Sequence, residues 1–289
     1  MIEHKNTLMF FHTVGVKVTS KCNMKCMFCC EPKRNRPYTD SAQFIKILEI
    51  IKKAGGKKIC ITGGEPLLYS DICMILEYSS NIGLENVLLS ADGKAFMEKK
   101  ITLSKRDSVR FSIHGLKEKH NLIVGYKNGF ENIETAVKYC VNNDWNVSVT
   151  TVVTNINYFE IDNIARWCIN NGIRKYYLFG LMKSGNGNSF INKYGEVNSK
   201  LNGMKDKLID NYSNSGMEIV VHSYTTNAEC IIVYGDGEMI IDPYHNGAPY
   251  QKRIGNILVD KPYEIFENVM HDQNLSKDYL ARLSRSNII

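Results

Sequence analysis

Between Val14 and Gly180 the chain alternates six times between a short β-favouring run and an amphipathic stretch. No other feature limits the fold as strongly. The β-favouring runs are Val14–Val18, Lys58–Thr62 (KICIT), Asn86–Ser90 (NVLLS), Val109–Ile113, Val147–Val153 (VSVTTVV) and Tyr176–Gly180. Helices are read over Ser41–Ala54, Asp71–Ser80, Glu131–Asn142 and Glu160–Asn170. In the first of these, Phe44, Ile47, Leu48 and Ile51 make a helical stripe, Asp40 or Ser41 supplies an N-cap, and Gly55–Gly56 ends it. Strand–helix alternation predicts parallel strands joined by right-handed crossovers. Six units are fewer than a closed eightfold barrel needs. The expected fold is α/β, a partial (βα)6 TIM-like barrel with an open side.

After Gly180 the rhythm changes. Ser184–Ser189 (SGNGNS) reads as a loop, Glu196–Asn211 as a long helix and Met217–Val221 as another strand. Ile231–Tyr234 and Glu238–Ile241 flank Gly235–Asp236–Gly237 and read as a β-hairpin. The tail after Lys261 reads as a polar helix. The division expected is a core barrel at 1–183 and a small C-terminal hairpin/helix extension at 184–289 that caps it and is not independent.

Charge and cysteine usage narrow the function. The net charge of +6 is mild, and the basic clusters Lys33–Arg36 and Lys99–Arg106 are short and broken, which argues against a nucleic-acid partner. The N-terminal stretch reads as no signal peptide, and no apolar run spans a bilayer, so a cytoplasmic protein without a membrane partner is expected. Nine cysteines, an odd and mostly dispersed set, do not read as a disulfide framework.

Four of those cysteines lie in SKCNMKCMFCCEP, Ser20–Pro32, at the end of the first strand. Cys22, Cys26 and Cys29 are spaced C-x3-C-x2-C. Three thiolates suit a [4Fe–4S] cluster that leaves one iron for an outside ligand; zinc, which wants four protein ligands, is the competing reading. Barrel active sites gather at the C-terminal ends of strands. The second strand ends in Thr62–Gly63–Gly64–Glu65–Pro66, where two missing side chains let a ligand lie against bare backbone.

This combination resembles the radical S-adenosylmethionine (SAM) superfamily: C-x3-C-x2-C after strand one, Phe28 before the last cysteine, GGEP after strand two. The resemblance implies that Cys22, Cys26 and Cys29 bind one [4Fe–4S] cluster, whose fourth iron takes the methionine part of SAM. Phe28 would pack near adenine, and Gly63, Gly64, Glu65 and Pro66 would hold the methionine amino group. Ser90 in SADG and Ser112 in FSIHG match polar positions toward SAM, Asn155 is a further polar candidate, and Leu181 and Met182 would flank adenine. The family's chemistry is reductive cleavage of SAM to methionine and a 5′-deoxyadenosyl radical that takes hydrogen from a substrate carbon. An electron donor such as flavodoxin or ferredoxin is implied.

Other conspicuous residues have plainer readings. Cys30 reads as a bystander, Cys60, Cys73, Cys140 and Cys168 as core-filling thiols, and His114 and His120 as structural. Tyr176 and Tyr177 read as barrel packing, and Lys33, Arg34 and Arg36 as solvated charges. The tail from Glu229, ECIIVYGDGEMIIDPY and then RIGNI, resembles the peptide-modifying SPASM branch. Cys230 is kept, but Asp242–Pro243–Tyr244 stands where that branch has Pro–Cys, and no later cysteine follows. One cluster only is therefore expected. The leading reading is hydrogen abstraction from a ribosomally made peptide, with leader recognition by a separate protein. The alternatives are a viperin-like enzyme acting on a small molecule or nucleotide, and a non-catalytic metal or iron–sulfur binding module.

Overall fold

The computed structural model describes residues 10–31, 36, 39–182, 184–195, 197–222, 230–242 and 252–272. Lys33, Arg34, Pro243, Tyr244 and the tail at 273–289 lie outside the described residues.

The fold is mixed α/β, built on one ten-stranded sheet. Seven strands run parallel in sequence order: β1 (Thr13–Thr19), β2 (Lys58–Gly63), β3 (Glu85–Ser90), β4 (Ser108–Ser112), β5 (Asn146–Val152), β6 (Lys175–Phe179) and β7 (Glu218–His222). The alternation read from the sequence is thus carried one strand further, through the helix Asn198–Tyr212. On the other side of β1 lies β8 (Cys230–Tyr234), also parallel, which forms an antiparallel hairpin with β9 (Glu238–Asp242). β10 (Lys252–Asn256) pairs with β9 and was not foreseen as a strand.

Period-two alternation explains how these strands serve two faces. Val14, Val16, Ile59, Ile61, Leu88, Val109, Phe111, Val149, Tyr176 and Leu178 form the core beneath the helices, each with essentially no exposure. Phe44, Ile47, Leu48 and Ile51 close over them from the helix Ser41–Lys53. Asp40 caps that helix, its carboxylate accepting from the Gln43 amide at 2.8 Å. The residues between, including Lys17, Cys60, Arg110, Ser112, Thr150, Tyr177 and Phe179, are half-buried and line the concave face.

Several expectations need correction. Ser184–Ser189 is not a loop throughout: a helix runs Asn186–Tyr194, entered through Gly185 at φ +55°. Phe190 packs inward from this helix, with Ile191 and Tyr194 partly buried against the same cluster. The helix Pro262–Met270 is amphipathic rather than polar, burying Ile265, Phe266 and Val269. Cys140 and Cys168 are buried, but Cys73 is exposed and Cys60 faces the concave side. Arg36 is not solvated: it pairs with Asp236 at 2.7 Å and with Glu238, and stacks 3.5 Å over the Tyr234 ring. This ties the segment after the cysteines to the hairpin.

Candidate active site

The cysteine segment leaves β1 and takes no regular structure, so its shape depends on what grips it. One side is held by the end of the helix Glu118–Val124: the Lys25 amide donates to Val124 O at 2.8 Å and the Met27 amide to Ile123 O at 3.1 Å. On the other side, the Asn186 amide donates to Cys29 O at 2.8 Å and the Ser184 hydroxyl to Cys30 O at 3.2 Å. Beneath it, Asn23 donates to Asp92 at 2.5 Å. Phe28 is buried with Ile123, Leu181 and Phe190, and meets the His114 imidazole edge-on at 4.9 Å.

This grip leaves Cys22 exposed and Cys26 and Cys29 half-buried. Burial pushes the Cys26 thiol up to about 12, and the neighbouring Cys29 and Cys22 sulfurs push the same way. Burial raises Cys22 and Cys29 as well. Three thiols whose ionisation burial disfavours need a cationic group to be thiolates together. A structural zinc ion wants four protein ligands, whereas a [4Fe–4S] cluster can take three thiolates and leave one iron for an outside ligand. Three free cysteines spaced along one loop, Cys22, Cys26 and Cys29, therefore fit a cluster better than one ion.

The GGEP segment lies directly beside this loop. The Gly64 amide donates to Thr19 O and the Glu65 amide to Lys21 O, each at 2.8 Å. A Cβ on Gly63 would collide with Thr19 O, and one on Gly64 with Lys21 O. The two glycines are thus required by the close approach of protein backbone; the space their side chains would fill is not left for a ligand. Pro66 is buried and opens a single turn, Pro66–Leu68. Glu65 is 2% exposed and accepts from the Leu67 amide at 3.1 Å, the Ser90 hydroxyl at 2.9 Å and the Ala91 amide at 2.9 Å. Burial raises its carboxyl to about 7, against the pull of those three donors.

The remaining sequence candidates are placed as follows. Ser90 is buried and its hydroxyl is engaged by Glu65 and the Asp92 amide. Ser112 lies on the concave face, paired in register with Thr150. The Asn155 side-chain amide donates to Tyr194 O at 2.7 Å, fastening the segment after β5 to the helix Asn186–Tyr194. Leu181 belongs to the Phe28 cluster, and the Met182 carbonyl sits against Gly187. His114 and His120 are buried and neutral, burial lowering them to about 3 and about 4. His114 Nδ1 accepts from the Val152 amide at 3.2 Å, and His120 Nδ1 from the His114 amide at 3.1 Å.

Sequence reading missed Asn23, Asp92 and Asn157. Asp92 followed by Gly-Lys-Ala is a helix N-cap pattern, and its carboxylate indeed accepts from the Ala95 amide at 3.0 Å. Asn157 is fully buried and donates to His114 O at 2.9 Å and Val152 O at 3.0 Å, a role with no local sequence signature. Lys17 pairs with Glu31 across the loop, another contact between residues distant in sequence.

Comparison with known proteins agrees with this geometry. A family model described as the Radical SAM superfamily matches residues 16–168. A GTP 3′,8-cyclase of Haemophilus influenzae (strain 86-028NP) is 26% identical over 251 residues, covering 81% of this chain and 71% of that protein. The sporulation killing factor maturation protein SkfB of Bacillus subtilis (strain 168) is 25% identical over 163 residues, 54% of this chain and 39% of that protein. In fold, the chain is similar to Streptococcus suis SuiB bound to precursor peptide SuiA, with a TM-score of 0.72 and 16% identity over 96% of this chain and 71% of that one.

Proposed function

The chain belongs to the radical SAM superfamily, and from that premise we propose that it abstracts hydrogen from a carbon of a peptide, using one [4Fe–4S] cluster held by Cys22, Cys26 and Cys29. The family's cluster, with SAM, supplies the 5′-deoxyadenosyl radical. This chain's residues do the positioning. The grips from Val124, Asn186 and Asp92 fix the loop whose three thiols would hold the cluster. The backbone of Gly63, Gly64, Glu65 and Pro66, packed beside the cysteine loop, would hold the amino end of SAM. Ser90, Ser112 and Asn155 are the polar candidates along its length, and Phe28, Leu181 and Met182 supply an apolar seat for adenine. The same apolar cluster keeps water from the radical.

The observation that carries the peptide reading is the unclosed sheet. Among the described residues β7 and β10 are its two ends. A cavity left open along one side admits a chain that continues beyond it, whereas a small closed barrel is filled by its own side chains. The likeness to the fold of SuiB, and the sequence similarity to SkfB, support this reading. A nucleotide substrate is the second reading, favoured by the longer sequence match to GTP 3′,8-cyclase.

The test is anaerobic turnover with SAM and dithionite, with two sets of probes: GTP, and deuterated synthetic peptides copied from short reading frames beside the gene. The peptide reading predicts faster 5′-deoxyadenosine release and deuterium transfer into it from a peptide. Acceleration by GTP with none by any peptide would overturn it.

A further inference from the structure

Among the described residues, Arg110 on the concave face has no carboxylate partner. Arg110 projects from the middle of β4 between Leu89 and Ser148 of the neighbouring strands. Its guanidinium carbon lies 3.5 Å from the Tyr177 ring centroid, and Nε reaches the Ser148 hydroxyl at 3.4 Å. The carboxylates at the starts of β3 and β7 are already taken: Glu85 by Lys58 at 2.7 Å and Glu218 by Lys175 at 2.8 Å. Among the described residues, the unpartnered side-chain atoms sealed from solvent are Arg36 Nε, His120 Nε2 and Thr150 Oγ1. The Arg110 Nη groups are not among them, and the hydrogen bond its side chain makes is through Nε.

The surroundings are built around that cation. Tyr177 stacking fixes the plane of the guanidinium. Phe179 and His222 lie nearly parallel at 4.8 Å, and Tyr177 and His222 at 6.3 Å, so three rings form one flat wall beside it. Burial, then the Arg110 charge, lowers His222 and keeps that wall uncharged. An unpaired charge in a half-buried place weakens the fold unless something else answers it. A planar guanidinium fork matches a carboxylate.

We propose that Arg110 and the Tyr177–Phe179–His222 wall form a substrate-anion subsite that takes a carboxylate of the peptide, from an acidic side chain or the C-terminus. The identity of the anion rests on the peptide reading above. One positive charge with no carboxylate partner among the described residues matches a carboxylate; a polyphosphate calls for several, and Lys17, Lys58 and Lys175 are already paired.

The test is calorimetric titration of the cluster-loaded protein with SAM present. The probes are acetyl-Tyr-Glu-Ala-amide, the same peptide with Gln for Glu, acetyl-Tyr-Ala-Ala with a free C-terminus, and inorganic pyrophosphate. Wild type should bind one of the two carboxylate peptides about tenfold tighter than the Gln peptide, as a charged hydrogen-bonded pair does. Which of the two it prefers identifies the carboxylate. Arg110→Gln should erase the preference, and Arg110→Lys, which keeps charge without the fork, should retain only part of it. Circular dichroism and iron content show that both variants are folded and loaded. A carboxylate preference that survives Arg110→Gln, or no anion preference in wild type, would overturn the subsite. Pyrophosphate bound through Arg110, with no carboxylate preference, would keep the anion site and overturn the peptide reading.

Discussion

The Asn23 side-chain amide donates to the Asp92 carboxylate at 2.5 Å, joining the cysteine loop to the first turn after β3. Asp92 is 2% exposed, and its other oxygen caps the helix Gly93–Glu98 through the Ala95 amide. Asn23→Ala leaves a buried carboxylate oxygen unanswered, at about 1–3 kcal/mol. Urea unfolding should show a loss in that range, and the variant should incorporate less iron than wild type under equal reconstitution.

The cysteines are predicted to divide sharply. Cys22→Ala, Cys26→Ala and Cys29→Ala should each abolish the absorbance near ~400 nm of the reconstituted cluster. Cys30→Ala and Cys230→Ala should keep it. Loss of colour in Cys230→Ala would mean that a second cluster exists.

Two glycine substitutions should act in opposite directions. Gly64→Ala drives a methyl into the Lys21 carbonyl, so it should displace the cysteine loop and reduce cluster incorporation several-fold. Gly203 sits in the helix Asn198–Tyr212 with nothing within 4 Å of its Cβ position, so Gly203→Ala should stabilise the chain by about 1 kcal/mol. Iron content and thermal unfolding of the two variants check both statements.

The buried histidines predict acid sensitivity. His114 and His120 are lowered from 6.5 to about 3 and about 4, so the unfolded chain takes up protons that the folded chain refuses. Their contribution is fully present above pH 6.5 and is lost as pH falls. Where both differ, stability of the metal-free chain should fall by about 3 kcal/mol per pH unit. Urea unfolding at several pH values measures the slope, and His120→Gln should halve it.

The parts of this fold that could be read from sequence are those written locally. The stripe Phe44, Ile47, Leu48 and Ile51, with Asp40 before it, specifies a helix and its start without reference to anything distant. The runs KICIT and NVLLS likewise specify strands, each found within one residue of its expected bounds. The radical SAM motif was also local, since its cysteines share one loop. The meaning of GGEP was legible only in part: its glycines are explained by Thr19 and Lys21, some forty residues upstream. Arg36 read as solvated because Tyr234, Asp236 and Glu238 reach it only through the pairing of β8 with β1. Arg110 was passed over for a similar reason. A charged residue in a strand looks exposed until the sheet curls its face inward.

The most direct test of the account is 5′-deoxyadenosine release. The protein is reconstituted anaerobically to about four irons per chain, then given dithionite and SAM with no other substrate. The account predicts slow release of 5′-deoxyadenosine and methionine, absent in Cys26→Ala. A wild-type protein with its irons in place, SAM bound and no release at all would contradict it.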